Sequence, residues 1–180
     1  MRRLFLIAVV LIAGAAAAQT ERTQAALKSL FPQAERFTPK DVFLTDELAA
    51  KLQSLARTRI TERMVTFYVA TVAGKPVGYA VIHTHKVRTK NETLVLGLEP
   101  DGKLKRIDLA VFLEPEEYAP TAQWLAQFPG KSTADRLTVG DDVMAISGAT
   151  LSARSISETA RWVLLAFQEA KVAGPPKATP

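Results

Sequence analysis

Residues 63–85 read RMVTFYVATVAGKPVGYAVIHTH, and this stretch decides the fold. Met64, Thr66, Tyr68 and Ala70 alternate with Val65, Phe67, Val69 and Thr71, the period-two pattern of a strand. Gly74-Lys75 supplies a turn, and Val77 to His85 returns as a second strand. Thr93 to Leu98 reads as a third. Asp101-Gly102 is a hairpin signal, and Leu104 to Leu113 follows as a fourth. Consecutive strands joined by short turns predict an antiparallel meander.

Helical patterns flank the strands. Ala26, Leu27, Leu30 and Phe31 share one face of a helix over Glu21 to Phe31, which Pro32 stops. Thr45-Asp46-Glu47 opens another, with a hydroxyl cap and two acids ahead of Leu48, Leu52 and Leu55. Pro115 to Pro120 is an acidic, proline-rich loop. A short helix from Thr121 to Phe128 ends at Pro129-Gly130. After Thr150 a longer helix begins, with Ile156, Ala160, Val163, Leu164 and Phe167 as its apolar stripe. Arg154, Glu158 and Arg161 stand at spacings that favour ion pairs. The fold class expected is α+β: an antiparallel meander sheet packed with helices, the longest of them C-terminal.

The chain has 180 residues, 48% hydrophobic and 23% charged, which suits one globular domain with a sizeable core. Arg2 and Arg3 precede the apolar run LFLIAVVLIAGAAAA, from Leu4 to Ala18. This is the pattern of a secretory signal cleaved after Ala18; a single N-terminal membrane anchor is the alternative. The expected division is a signal at 1–18, a helical segment at 19–62, the main domain at 63–173 and a flexible tail at 174–180. Absence of cysteine excludes disulfides, thiolate metal sites and covalent c-type haem. The net charge of +5 forms no basic stripe with interleaved aromatics, which argues against a nucleic-acid partner.

The chemistry concentrates in Ser147-Gly148-Ala149-Thr150, at the start of the last helix. Gly148 lets backbone approach a ligand closely. The helix start offers unpaired N–H groups and a positive dipole end, both suited to a phosphate. Ser147, Thr150 and Ser152 add hydroxyls. A plain helix cap would account for the same residues. The turn is neither a P-loop, since no Lys follows, nor a hydrolase nucleophile elbow, since no His lies near it in sequence to serve as base. His83 and His85, on one face of a strand, read as a solvated surface or as half of a metal site. Glu114, Glu116 and Glu117 read as solvated loop acids. Lys131 reads as a phosphate counter-ion or a helix-end cation.

The run Ser147-Gly148-Ala149-Thr150-Leu151-Ser152 resembles the motif of the FMN-binding domain family. That family includes covalent flavoprotein components of the sodium-pumping NADH:quinone reductase and of the Rnf complex. Gly78-Tyr79-Ala80-Val81, the stretch Leu96 to Leu113, and Trp124 to Lys131 resemble the segments around it, so the likeness runs from about Tyr68 to Phe167. The resemblance implies that a flavin transferase, using FAD and Mg²⁺, esterifies FMN through its phosphate to Thr150. It implies a cofactor site at Ser147, Gly148, Ala149, Thr150, Leu151 and Ser152, with Tyr79, Tyr118, Trp124 and Lys131 as further candidates. It places a flavin-facing loop near Glu114. It also implies an exported or periplasmic electron carrier serving redox proteins or a membrane electron-transport complex. Met144 stands where the family carries an Asp six residues before the modified Thr, with acids at Asp141 and Asp142 instead. The alternative reading is a noncatalytic periplasmic sensory or binding domain of the same fold, with noncovalent flavin or none. A hydrolase using Ser147 or Thr150 has no visible base.

Overall fold

The computed structural model describes residues 21 and 24–173. The expected signal at 1–18 and tail at 174–180 lie outside the described residues. Helix α1 covers 24–30. The sheet holds β1 (Arg36–Phe43), β2 (Met64–Val72), β3 (Lys75–Lys86), β4 (Asn91–Leu98) and β5 (Leu104–Phe112) in the order β1-β2-β3-β4-β5, every pair antiparallel. The fold is therefore α+β, a meander with a long C-terminal helix.

Local chemistry sets the turns. Val72 faces Lys75, so Ala73 and Gly74 form the two-residue loop, with φ of 48° and 74°. Positive φ at both positions matches the right-handed strand twist, and glycine at the second lowers the cost. The turn thus sits one residue earlier than Gly74-Lys75.

The segment 19–62 is not wholly helical. It contributes β1, whose sequence RFTPKDVF carries Pro39 and pairs only with β2. Proline has no N–H to donate, so it is tolerated on such an edge. Helix α2 (Asp46–Ala56) follows, with Thr45 accepting from the Leu48 N–H at 3.2 Å and Asp46 and Glu47 in its first turn. Helix α3 (Ala122–Leu125) is capped by Thr121 and is shorter than the pattern suggested. Helix α4 spans Thr150–Glu169 and buries the expected stripe Ile156, Ala160, Val163, Leu164 and Phe167. Its polar residues do not pair as spacing suggested. Glu158 accepts from Thr58 at 2.8 Å, and Arg161 donates to the Leu137 carbonyl.

The sheet carries a core on each face. Helices α2 and α4 cover one, where Phe67, Val81, Leu94 and Leu96 meet Leu52, Ile156, Val163 and Phe167. Helix α1 and Phe31 just after it cover the other, setting Leu27, Leu30 and Phe31 on Ala70, Ala80 and Val95. None of the helices among the described residues is long and apolar enough to cross a membrane.

Candidate functional site

Thr150 is the first residue of α4 and is exposed. Ala149 occupies the cap position, and no side chain caps the helix, so the plain-cap reading of Ser147 and Thr150 does not hold. The N–H groups of Thr150, Leu151 and Ser152 have no partner among the described residues; Ala149 before them donates to the Ile146 carbonyl at 3.1 Å, and Ala153 after them to the Ala149 carbonyl at 3.1 Å. Such free donors, with the dipole of a 20-residue helix behind them, attract an anion. Gly148 adopts φ of 76°, and nothing lies within 4 Å of where its Cβ would stand. The turn is therefore open to a ligand.

These residues line a cleft of about 210 Å³. Gly148, Ala149, Thr150, Leu151 and Ser152 form one wall; Val87, Arg88, Glu114 and Tyr118 form the other. Ser147 is exposed outside the lining, while Ser152 is buried. Arg88 brings a cation to the helix start. Nothing in its sequence surroundings marks it, because it sits on the β3–β4 turn and only the fold carries it to Thr150.

Glu114 holds that turn in place. Its carboxylate accepts from the backbone N–H groups of Lys90 at 2.7 Å, Thr89 at 2.5 Å and Arg88 at 3.1 Å. The Lys90 N–H first, then that of Thr89, lower its pKa from 4.5 to about 2. Glu114 is buried rather than a solvated loop acid. Its charge lines the cleft but is already satisfied by these donors.

Three further candidates lie elsewhere. Tyr79 is buried in the core, its ring 4.8 Å from that of Phe167, because β3 points it at α4; burial raises its pKa. Trp124 is buried against Phe128 and donates Nε1–H to the Met144 carbonyl at 2.7 Å. Lys131 pairs with Asp142 at 3.4 Å and Asp135 at 3.8 Å, tying the loop after α3. None of the three lines the Thr150 cleft. Tyr118 does.

The acids near Met144 serve the loop. Burial raises the Asp142 pKa, but the Thr138 and Leu137 N–H groups and Lys131 more than offset it, leaving the pKa below its ordinary value. Asp141 pairs with Arg136 at 2.7 Å. Met144 is 63% exposed.

A second cleft, of about 350 Å³, lies beside the first and shares Val87 and Leu151 with it. His83 and His85 stand on its wall, rings stacked at 5.0 Å; His83 is buried and His85 half-buried rather than both lying on a solvated face. His85 Nε2 lies 2.7 Å from the carboxylate of its cross-strand neighbour Glu92 and also meets the Ser155 hydroxyl, which donates to Glu92. Glu62 reaches His83 at 3.4 Å. Each imidazole thus engages a separate carboxylate, and no group of three or more potential ligands among the described residues could hold a metal ion.

The groups around Thr150 fit a phosphoester: an accessible hydroxyl, three free backbone donors, one arginine and an open glycine turn. Compared with known proteins, the chain matches no family model and no curated relative.

Proposed function

We propose that the protein is an exported electron-transfer flavoprotein in which Thr150 carries FMN through a phosphoester. The observation supporting this most directly is the position of Thr150, exposed on the first turn of α4 in a cleft that also holds free N–H groups and Arg88. The resemblance of Ser147 to Ser152 to the flavin motif points the same way.

Attachment would be catalysed by a flavin transferase using FAD and Mg²⁺. The Thr150 oxygen forms a bond to the FMN phosphorus, the pyrophosphate bond of FAD breaks, AMP leaves, and the hydroxyl proton passes to solvent. The helix-start N–H groups and Arg88 then hold the phosphate charge. Bound FMN supplies one- or two-electron transfer. The chain needs no catalytic acid or base for this; it orients the cofactor for redox proteins or a membrane electron-transport complex. A covalent tether suits an exported protein, since a dissociating cofactor would be lost.

Met144 favours a second reading, a binding domain of the same fold without covalent flavin, because Asp141 and Asp142 are committed to the loop. Intact mass after co-expression with a flavin transferase separates the two. The flavoprotein reading expects a gain of FMN less water, lost in Thr150→Ala, and a larger modified fraction in Met144→Asp. An unmodified parent alongside an unmodified Met144→Asp sinks it.

A further inference from the structure

We propose that the second cleft is the seat of the isoalloxazine ring, with His83, His85, Arg154 and Trp162 as its contacts. This rests on FMN being held at Thr150, and three observations lead to it. The first cleft, at about 210 Å³, is smaller than the ~300–1,000 Å³ that usually encloses a cofactor-sized ligand. It can take a phosphate and part of the ribityl chain. The second cleft adds about 350 Å³ directly alongside.

Continuity is the next observation. Val87 and Leu151 line both clefts, so they form a ledge between them. Leu151 is 48% exposed although it follows the proposed attachment point. A third cleft, of about 490 Å³ near Arg136, shares no lining residue with either. A group tethered at Thr150 therefore stands directly beside the second cleft.

The last observation is chemical match. Isoalloxazine is a flat tricycle with an apolar dimethylbenzene edge and a polar pyrimidine edge. The second cleft sets apolar Val87, Leu151 and Trp162 beside a polar wall in which His83, His85 and Arg154 stand with the carboxylates of Glu62 and Glu158. His85 Nε2 is held by Glu92 and Ser155, which fixes the ring on the cleft wall. Burial first, then His85, lowers the His83 pKa from 6.5 to about 4, so this imidazole is neutral at pH 7.

The experiment uses protein whose modification at Thr150 has been established by mass, and reads flavin fluorescence and midpoint potential. Indole quenches flavin emission on contact, so Trp162→Phe should raise fluorescence several-fold. Trp124→Phe should leave it unchanged, because Trp124 lines neither cleft. Arg154→Glu should lower the potential, because a carboxylate disfavours electron uptake nearby. Fluorescence and potential unchanged in both Trp162→Phe and Arg154→Glu would overturn the ring seat while leaving attachment at Thr150 intact. If Thr150 proves unmodified, the attachment reading fails separately. The unmodified chain is then titrated with riboflavin, which lacks the phosphate. Saturable quenching that weakens at least about tenfold in Arg154→Glu (about 1.4 kcal/mol) supports the seat, and no saturable quenching by the parent overturns it.

Discussion

Glu114 accepts N–H bonds from Arg88, Thr89 and Lys90, and so fixes the turn that carries Arg88 to the Thr150 cleft. Read in sequence, it is one of three clustered acids beside a proline, with nothing to mark it as different. What distinguishes it is the end of β5 lying beside the β3–β4 turn, where Leu113 donates to the Asn91 carbonyl. Thr150 is legible because its chemistry is local: small residues, a glycine and a helix start are contiguous. Arg88 and Glu114 are not, because their roles depend on register between distant segments. Gln at 114 keeps the shape but removes the charge, and one amide oxygen accepts less well than a carboxylate. Glu114→Gln should lower Tm at pH 7. An acid whose folded pKa is depressed contributes stability that is present above its unfolded value and lost as pH falls through the folded one. The gap between parent and variant should therefore be full above about pH 4.5 and close as pH approaches 2. Thermal unfolding from pH 7 to pH 2 checks this; a gap independent of pH would show that the charge contributes nothing.

Among the elements, β2 to β5 and α4 follow directly from their periodicities, two for the strands and near 3.6 for the helix. Strand β1 escapes because it lies on an edge, where Pro39 and exposed polar residues interrupt the alternation. Its structure comes from pairing with β2, a tertiary effect that local propensity does not encode. Helix α1 is legible as a helix, but its seat is not. That seat depends on Gly78 of β3 and Gly97 of β4, where absent side chains let Phe31 and Leu30 approach the sheet. A Cβ at Gly78 would overlap the Phe31 ring and stand 2.9 Å from the Leu98 carbonyl oxygen. The ring could shift only by giving up its fully buried position, and the carbonyl belongs to the β4 backbone. Gly78→Ala should cost about 1–3 kcal/mol, as overpacking usually does. A lower urea midpoint at an unchanged slope is the expected result. An unchanged midpoint would mean that α1 does not pack this closely.

The molecule as a whole carries a separate core on each face of one sheet. The face under α2 and α4 carries the larger core, the imidazole pair and the cleft they line. The face under α1 carries a small core with no part in either cleft beside Thr150. Burying Leu27, Leu30 and Phe31 is worth about 1.5–3 kcal/mol each, comparable in sum with the ~5–15 kcal/mol that stabilises a typical domain. Removing the chain through Phe43 would uncover Ala70, Ala80 and Val95 and leave β2 as a bare edge. The shortened chain, 44–180, should unfold at a markedly lower temperature and self-associate, as read by thermal unfolding and size-exclusion chromatography. Wherever it stays folded in the cold, the Thr150 cleft should persist, because its walls come from α4 and the two residues before it, the β3–β4 turn and the segment after β5. Modification of Thr150 in 44–180 at low temperature, together with loss of thermal stability, would separate the two faces. A shortened chain as stable and monomeric as its parent would instead show that α1 and β1 contribute little to the fold.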